Sequence, residues 1–389
     1  MENTKIMKRV LRLAAKASGM TSPNPMVGAV LVKAGKIIAE DYHRKPGTPH
    51  AEALVIQKAG EKTKGATLYV NLEPCCHTEK RTPPCTKAII NAGIKKVIIG
   101  MKDPNPKVSG EGIKELEKTG IKVISGILEK DAKRLNEAYV KYITTRKPFV
   151  TLKIAMTLDG KIATPEGESK WITGEKARTE VHRLRSNVDA IITAIGTVRA
   201  DDPQLTARVR GFKGLRVREV KRVIIDPKLE IPIDAKILHT PPETIIVTKK
   251  FSNPPIPPFS KGGRGGILAK GSVEGFSKRE KIKALTDKGI QIIEYESEKL
   301  DLHWLVEKLG EMGIMSVMIE GGSSLNSHAL EDGIVDKVTF FIAPKIIGGK
   351  ESFPAVGGKT FRKLADAYQL KDLTVKRIGE DILIEGYIK

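Results

Sequence analysis

Between residues 5 and 19 the apolar positions fall at Ile6, Val10, Leu13, Ala14 and Ala17, a helical spacing that closes at Gly19. After the Ser22-Pro23-Asn24-Pro25 turn the period changes. Residues 27–32 and 36–39 read as strands joined by a tight turn at Gly35, and Pro49 precedes a helix over about 50–59. Strand-like runs at 67–71, 96–101 and 121–124 then alternate with helices near 84–92 and 111–119. A charged helical stretch over 129–145 stops at Arg146-Lys147-Pro148, because proline disfavours helix in the residue before it. Strands alternating with helices predict an α/β layered sheet. The domain boundary is placed at this proline, giving residues 1–146 and 147–389.

The second half restarts with a strand over 149–155, a helix over about 173–186, and strands near 190–193, 222–226 and 244–247. A helix over 302–311 and a buried-type strand over 314–319 lead into Gly321-Gly322, and 337–343 with 381–387 form an antiparallel tail. Residues 253–275 stand apart, with Pro-Pro-Ile-Pro-Pro and Lys-Gly-Gly-Arg-Gly-Gly but little apolar period. This segment reads as a flexible surface insertion, removable without loss of activity. It lacks the Gly-Lys-Ser/Thr ending of a phosphate-cradling loop, although Lys261, Arg264 and Lys270 leave open a fold over a cofactor phosphate.

Composition narrows the classes. With 389 residues, 40% hydrophobic and 29% charged, the chain can bury two cores, so wholesale disorder is excluded. No apolar run approaches the ~18 residues that span a bilayer, and the N-terminus breaks into charge before any signal-like apolar region. A cytoplasmic protein is expected, with no membrane partner and a homo-oligomeric state. The 67 Lys plus Arg against 46 Asp plus Glu give a net charge of +21, which favours anionic partners. The cations are spread along the chain and aromatics are only 5%, which argues against nucleic acid, and solvated lysines that serve solubility account for the charge as well as an anionic partner does.

The strongest chemical signal is His50-Ala51-Glu52, followed by Pro74-Cys75 and Pro83-Pro84-Cys85. All three cysteines, Cys75, Cys76 and Cys85, fall close together, a metal-binding rather than a disulfide pattern. His50, Cys75 and Cys85 would give Zn2+ three ligands and leave the fourth position open for water, as a catalytic site requires. From spacing alone Cys76 could replace Cys75 as ligand. Glu52 can reach that water without being a ligand and shuttle its proton. The pattern resembles the zinc nucleoside and nucleobase deaminases, except that Cys85 lies ten positions after Cys75 instead of three.

The runs Ser22-Pro23-Asn24-Pro25-Met26-Val27-Gly28-Ala29-Val30, His43, Glu73-Pro74-Cys75-Cys76-His77, Arg81-Thr82-Pro83-Pro84-Cys85 and Asp103-Pro104-Asn105-Pro106 closely resemble the first domain of the bifunctional deaminase/reductases of riboflavin biosynthesis. The resemblance implies a cytidine-deaminase-like three-layer domain in which Asn24, His43 and His77 line the pyrimidine pocket. It also implies that Asn105 and a basic residue, Lys80 or Arg81, lie near the ribose phosphate. In that family the loop usually reads His-x-Gly-Arg/Lys-Thr-Pro-Pro-Cys; here it lacks the glycine and carries one extra residue.

No Gly-x-Gly-x-x-Gly opens the second half, so a standard dinucleotide fingerprint is missing. Instead Lys153-Ile154-Ala155-Met156-Thr157-Leu158-Asp159-Gly160, Glu168-Ser169-Lys170-Trp171, Gly196-Thr197-Val198-Arg199-Ala200-Asp201, Glu320-Gly321-Gly322-Ser323 and Ala343-Pro344-Lys345-Ile346-Ile347-Gly348-Gly349 resemble the same family's reductase domain. That likeness implies a dihydrofolate-reductase-like α/β fold that uses NADPH. The cofactor would meet Ala155, Trp171, Thr197, Asp201, Gly321, Gly322 and Ser323. The substrate would meet Lys153, Ser169, Arg185, Leu205, Arg208 and Glu320, with the two arginines suited to a 5′-phosphate. The implied reactions are hydrolytic deamination of 2,5-diamino-6-ribosylamino-4(3H)-pyrimidinone 5′-phosphate, then reduction of the ribosylamino group to ribitylamino. An RNA-editing deaminase and a non-catalytic zinc-stabilised binding protein are the competing classes.

Overall fold

The first 145 residues fold around one five-stranded sheet, because their apolar runs are buried on both faces. The elements are α1 (Glu2–Ala15), β1 (Gly28–Lys33), β2 (Lys36–Tyr42), α2 (Ala51–Ala59), β3 (Thr67–Leu72), α3 (Cys85–Asn91), β4 (Lys96–Met101), α4 (Glu111–Lys118), β5 (Lys122–Ile124), α5 (Glu129–Leu135) and α6 (Glu137–Thr145). The sheet order is β2-β1-β3-β4-β5, with β1 antiparallel to both neighbours and β3, β4 and β5 parallel. Alternate residues of β1 enter different cores. Val30 and Val32 meet Met7, Val10 and Leu13 of α1, while Ala29 and Leu31 join Val55 and Ala59 of α2. Three layers result. In this computed structural model the described residues are 2–77, 83–207, 219–250, 278–358 and 363–389. Lys80, Arg81 and Arg208, and the segment 253–275, therefore lie outside the described residues.

Two expectations for this half need correction. The opening helix ends at Ala15, not at residue 19. Gly19 instead adopts a φ of +75° where a Cβ would lie 2.0 Å from Ser186 O, so glycine is required there for close approach to the second half. The stretch 129–145 is two helices, broken at Asn136. The Asn136 side chain bonds both the N–H and the carbonyl of Met26, a tertiary demand that helix propensity does not contain.

The second half adds β6 (Phe149–Thr157), β7 (Lys161–Ala163), α7 (Glu175–Ser186), β8 (Ala190–Ala194), α8 (Ile195–Asp201), β9 (Lys221–Ile225), α9 (Lys236–His239), β10 (Thr244–Lys249), α10 (Lys278–Asp287), β11 (Gln291–Tyr295), α11 (Leu302–Glu311), β12 (Ser316–Ile319), α12 (Ser323–Glu331), β13 (Lys337–Ala343), β14 (Phe353–Pro354), β15 (Leu370–Ile378) and β16 (Asp381–Ile388). Nine strands form one sheet in the order β11-β10-β9-β8-β12-β6-β13-β16-β15. The pairs from β11 to β13 are parallel, and β16 and β15 follow antiparallel. The expected antiparallel tail is thus part of the main sheet. Val150, Leu152 and Ile154 of β6 pack with Leu305 and Leu309 of α11, while Phe341 of β13 meets Ala177 and Val181 of α7 on the other face.

The two halves are joined by polar contacts around α6. Lys141 pairs with Asp336 at 2.6 Å, and the same Asp336 oxygen accepts from Val150 N. Tyr142 OH donates to Gly310 O at 3.1 Å, and Tyr387 OH donates to Glu137. No helix among the described residues is long and apolar enough to cross a membrane.

Helix α1 lies close on the sheet at Gly28, where a Cβ would come within 2.5 Å of Val10 O and 2.9 Å of Ala14 N. Gly28→Ala is expected to push α1 off β1 and destabilise the chain by about 1–3 kcal/mol. Scanning calorimetry checks this; an unchanged first transition would show that α1 can shift freely.

Candidate active sites

Three elements bring the soft donors together. His50 stands at the N-terminal edge of α2, Cys75 follows β3 by three residues, and Cys85 opens α3. His50 Nδ1 lies 3.6 Å from Cys75 Sγ and 3.3 Å from Cys85 Sγ, and the three donor atoms all lie within 4.8 Å of one another. Tetrahedral zinc with ordinary bond lengths demands N···S separations of about 3.5 Å, so the donor set fits the metal. Cys76 does not join the group. Burial pushes the Cys76 thiol pKa up. Glu52, in the first turn of α2, is only 3% exposed. Its Oε2 has no hydrogen-bond partner among the described residues, and burial raises the carboxyl pKa.

His50, Glu52 and Cys75 line a cavity of about 600 Å³ that also holds Asn24, His43, His77 and Asn105, every described residue expected there. His43 Nδ1 faces Pro49 O at 3.2 Å, and its Nε2 faces the Asn24 amide nitrogen at 3.2 Å. A carbonyl can only accept, so the proton is assigned to Nδ1 and Nε2 accepts from Asn24. Burial pushes the His43 pKa down and keeps the ring neutral. The floor is held by carboxylates. Glu73 accepts from the backbone N–H groups of Asp103, Gly110 and Ile113, while Asp103 accepts from Asn105 N and Tyr139 OH. Burial raises the Asp103 pKa to about 6. Sequence reasoning missed Tyr139, which lines this cavity from α6; a tyrosine in a charged helical stretch carries no signal that it faces a distant pocket.

In the second half the carboxyl ends of β6, β8 and β12 lie side by side, the edge where parallel sheets bind ligands. Glu320, just past β12, is bound by Arg185 from α7 through Nε at 2.7 Å and Nη2 at 3.0 Å, and by Lys153 Nζ at 3.2 Å. Burial alone would raise the Glu320 pKa, but the Arg185 guanidinium and the Lys153 ammonium overcome it and hold the carboxyl at about 2. Arg185 Nη1 faces Thr206 O at 3.4 Å, next to Leu205. Ser169 donates to Asp201 at 3.0 Å. Trp171 is 66% exposed, with Arg178 stacked 4.7 Å from its ring and Lys345 bonded to its carbonyl. Asp159 accepts from Thr157 Oγ1, Ile347 N and Gly348 N, tying two of the sequence motifs together.

Ala155 lies on β6 opposite Phe341, Thr197 lies within α8, and Gly321-Gly322-Ser323 lead into α12. They share the edge by topology, without polar contacts to the charged cluster. Gly321 allows close packing, since a Cβ there would strike Leu325 at 2.7 Å. Arg222 was expected only as a strand residue. It is buried without a carboxylate partner among the described residues, donates to Gln204 O and to the Thr240–Pro242 turn, and so fixes the loop that carries Leu205. Burial lowers its pKa to about 10.

Fold and sites together define a two-domain enzyme, a zinc-binding deaminase followed by a reductase. Residues 1–101 match the cytidine and deoxycytidylate deaminase zinc-binding region, and residues 148–384 match the RibD C-terminal domain. The chain belongs to the riboflavin biosynthesis protein RibD family, whose members are bifunctional deaminase/reductases, hydrolase and oxidoreductase in one polypeptide. The RibD protein of Actinobacillus pleuropneumoniae is 42% identical over 381 residues, covering 97% of this chain and 93% of that protein. That of Aquifex aeolicus is 42% identical over 379 residues, covering 97% and 96%. The solved structure of Acinetobacter baumannii RibD has a TM-score of 0.84 at 34% identity, covering 100% of this chain and 99% of that one. A diaminohydroxyphosphoribosylaminopyrimidine deaminase/5-amino-6-(5-phosphoribosylamino)uracil reductase from Thermotoga maritima gives 0.81 at 35% identity, with the same coverage.

The charged cluster generates a pH prediction. A carboxyl held at about 2 instead of 4.5 contributes stability that is present above pH 4.5 and lost as pH falls towards 2. Glu320→Gln removes that contribution and leaves two buried cations without a counter-charge, at a cost of roughly 3 kcal/mol near neutrality. Urea unfolding at pH 7 and pH 3 should show the gap between wild type and variant narrowing at the lower pH. A gap that stays constant would contradict the assignment.

Proposed function

We propose that the division of labour falls at Arg146-Lys147, with His50, Cys75 and Cys85 as the zinc ligands and Glu52 as the proton carrier of deamination. The observation that carries this reading is the unpartnered Glu52 oxygen, buried beside three convergent soft donors in a cavity of about 600 Å³. Zinc, when bound there, supplies a water that gives up a proton near neutral pH. Glu52 takes that proton at its unpartnered oxygen and delivers it to the ring nitrogen, then carries the second proton, from the hydroxyl now bonded to the ring carbon, to the departing amine, so that the C–N bond breaks as C=O forms and C–NH2 and water become C=O and ammonia. Asn24 and neutral His43 hold the heterocycle edge, His77 closes the cavity, and Asn105 faces the ribose phosphate. The substrate class follows the resemblance, a diaminopyrimidine carrying a ribosylamino 5′-phosphate.

In the reductase half the cofactor is read as NADPH, which supplies a hydride when bound; a proton completes the conversion of ribosylamino to ribitylamino. Glu320 fixes Lys153 Nζ and Arg185 in one place, so both can meet the sugar phosphate without rearranging. With Nε and Nη2 bonded to Glu320 and Nη1 facing Thr206 O at 3.4 Å, Arg185 meets the phosphate through the second N–H of Nη1. Ser169 and Leu205 complete the substrate side. Trp171, Thr197, Asp201, Ala155 and the Gly321-Gly322-Ser323 turn form the cofactor side. Thiols gathered for a metal rather than a disulfide suit a reducing compartment, which supports the cytoplasm. Exposed Leu373 and Val375 on the outer strand β15 support self-association through that edge.

Glu52→Gln keeps the shape but cannot accept the proton, so the variant is expected to retain zinc and lose ammonia release by at least about 100-fold. Chelation of wild type should abolish ammonia release and leave reduction of the deaminated intermediate intact. Metal analysis, ammonia release and loss of nicotinamide absorbance with NADPH and NADH check these separately. Near-normal ammonia release by zinc-loaded Glu52→Gln would overturn the role given to this residue.

A further inference from the structure

The turn that carries Asn24 is a thin wall. On one side lies the deaminase cavity, and on the other a second cavity of about 350 Å³ between the two halves of the chain. Asn24 and Tyr139 face both. Close packing fixes a segment only where atoms press on it from behind, so polar anchors must set the position of this turn.

Asn136 supplies two of those anchors. Its Oδ1 accepts from Met26 N at 2.7 Å and its Nδ2 donates to Met26 O at 3.0 Å, so one buried side chain grips both polar groups of a residue two positions beyond Asn24. Asn71 adds a third contact to the same carbonyl at 2.9 Å. The grip has a firm base: Asn136 sits at the break between α5 and α6, and its neighbour Glu137 is bonded to Tyr387 in the second sheet. On the far side of the turn, Asn24 reaches His43 at 3.2 Å.

We propose that Asn136 is a positioning residue for deamination: by clamping Met26 it holds the Asn24 amide in register with the pyrimidine and with His43. The inference rests on the deaminase reading given above. An aspartate at this position keeps an acceptor for Met26 N but turns a second acceptor towards Met26 O, replacing attraction by repulsion at one of the two contacts. The side chain never touches the reacting atoms, so binding should suffer before turnover.

The test uses the full-length chain, with ammonia release measured against diaminopyrimidine phosphate concentration, alongside zinc content and NADPH oxidation with the deaminated intermediate. Asn136→Asp is expected to raise KM for deamination about tenfold with kcat within about twofold, leaving zinc and the reductase rate unchanged. In an Asn24→Ala background the same change should add less than about twofold, because both residues then act through one missing amide. An unchanged KM, or a full tenfold effect in the Asn24→Ala background, overturns the proposal. So does loss of zinc and of both activities in Asn136→Asp and the milder Asn136→Ser alike, which would make the residue structural. Absence of ammonia release from wild type would instead remove the deaminase reading, and this inference with it.

Discussion

One imidazole and two thiols must meet within a few ångströms while arriving from chain segments 25 and 10 residues apart. Much of the first domain answers that demand. His50 comes from the edge of a helix packed on β1, Cys75 from the end of β3, and Cys85 from the start of α3, so the three donors share a point only if β1 and β3 are neighbours. Their adjacency is secured by the apolar run of β1, buried on both faces, and by Gly28, which lets α1 approach to van der Waals distance. A fault in that packing is a fault in the ligand geometry.

The reductase half solves a different problem, that of keeping cations in place inside protein. Glu320 offsets Lys153 and Arg185 together, one carboxylate between two cations, and any one alone would face the full desolvation cost of a buried charge. Arg222 meets the same cost without a carboxylate, through carbonyl and hydroxyl acceptors from two loops. In both places a buried cation orders backbone that is irregular by itself. The result is a rigid frame for loops that face solvent at the carboxyl end of the sheet.

What the sequence reveals follows the range of the interactions involved. The soft donors were legible because His-x-Glu and Pro-Cys are local patterns, and β4, β10 and β12 were legible because burial on both faces leaves continuous apolar runs. β15 was not: it lies at the sheet edge, almost all of its residues are exposed, and its string of Lys, Asp, Thr and Arg resembles a loop. The break at Asn136 was hidden because its cause lies 110 residues away at Met26. The choice between Cys75 and Cys76 could not come from spacing, since adjacent residues differ by one position in sequence but point to different sides of the chain.

The chain has two tryptophans, Trp171 and Trp304, and both lie in the reductase half. Their settings differ: Trp171 stands in solvent against the Arg178 guanidinium, whereas Trp304 packs against the Tyr295 ring with centroids 6.3 Å apart. The molecule is therefore optically lopsided. Indole emission reports the second domain alone, with a red-shifted component from solvent-exposed Trp171, while the zinc-binding domain can unfold unseen at those wavelengths.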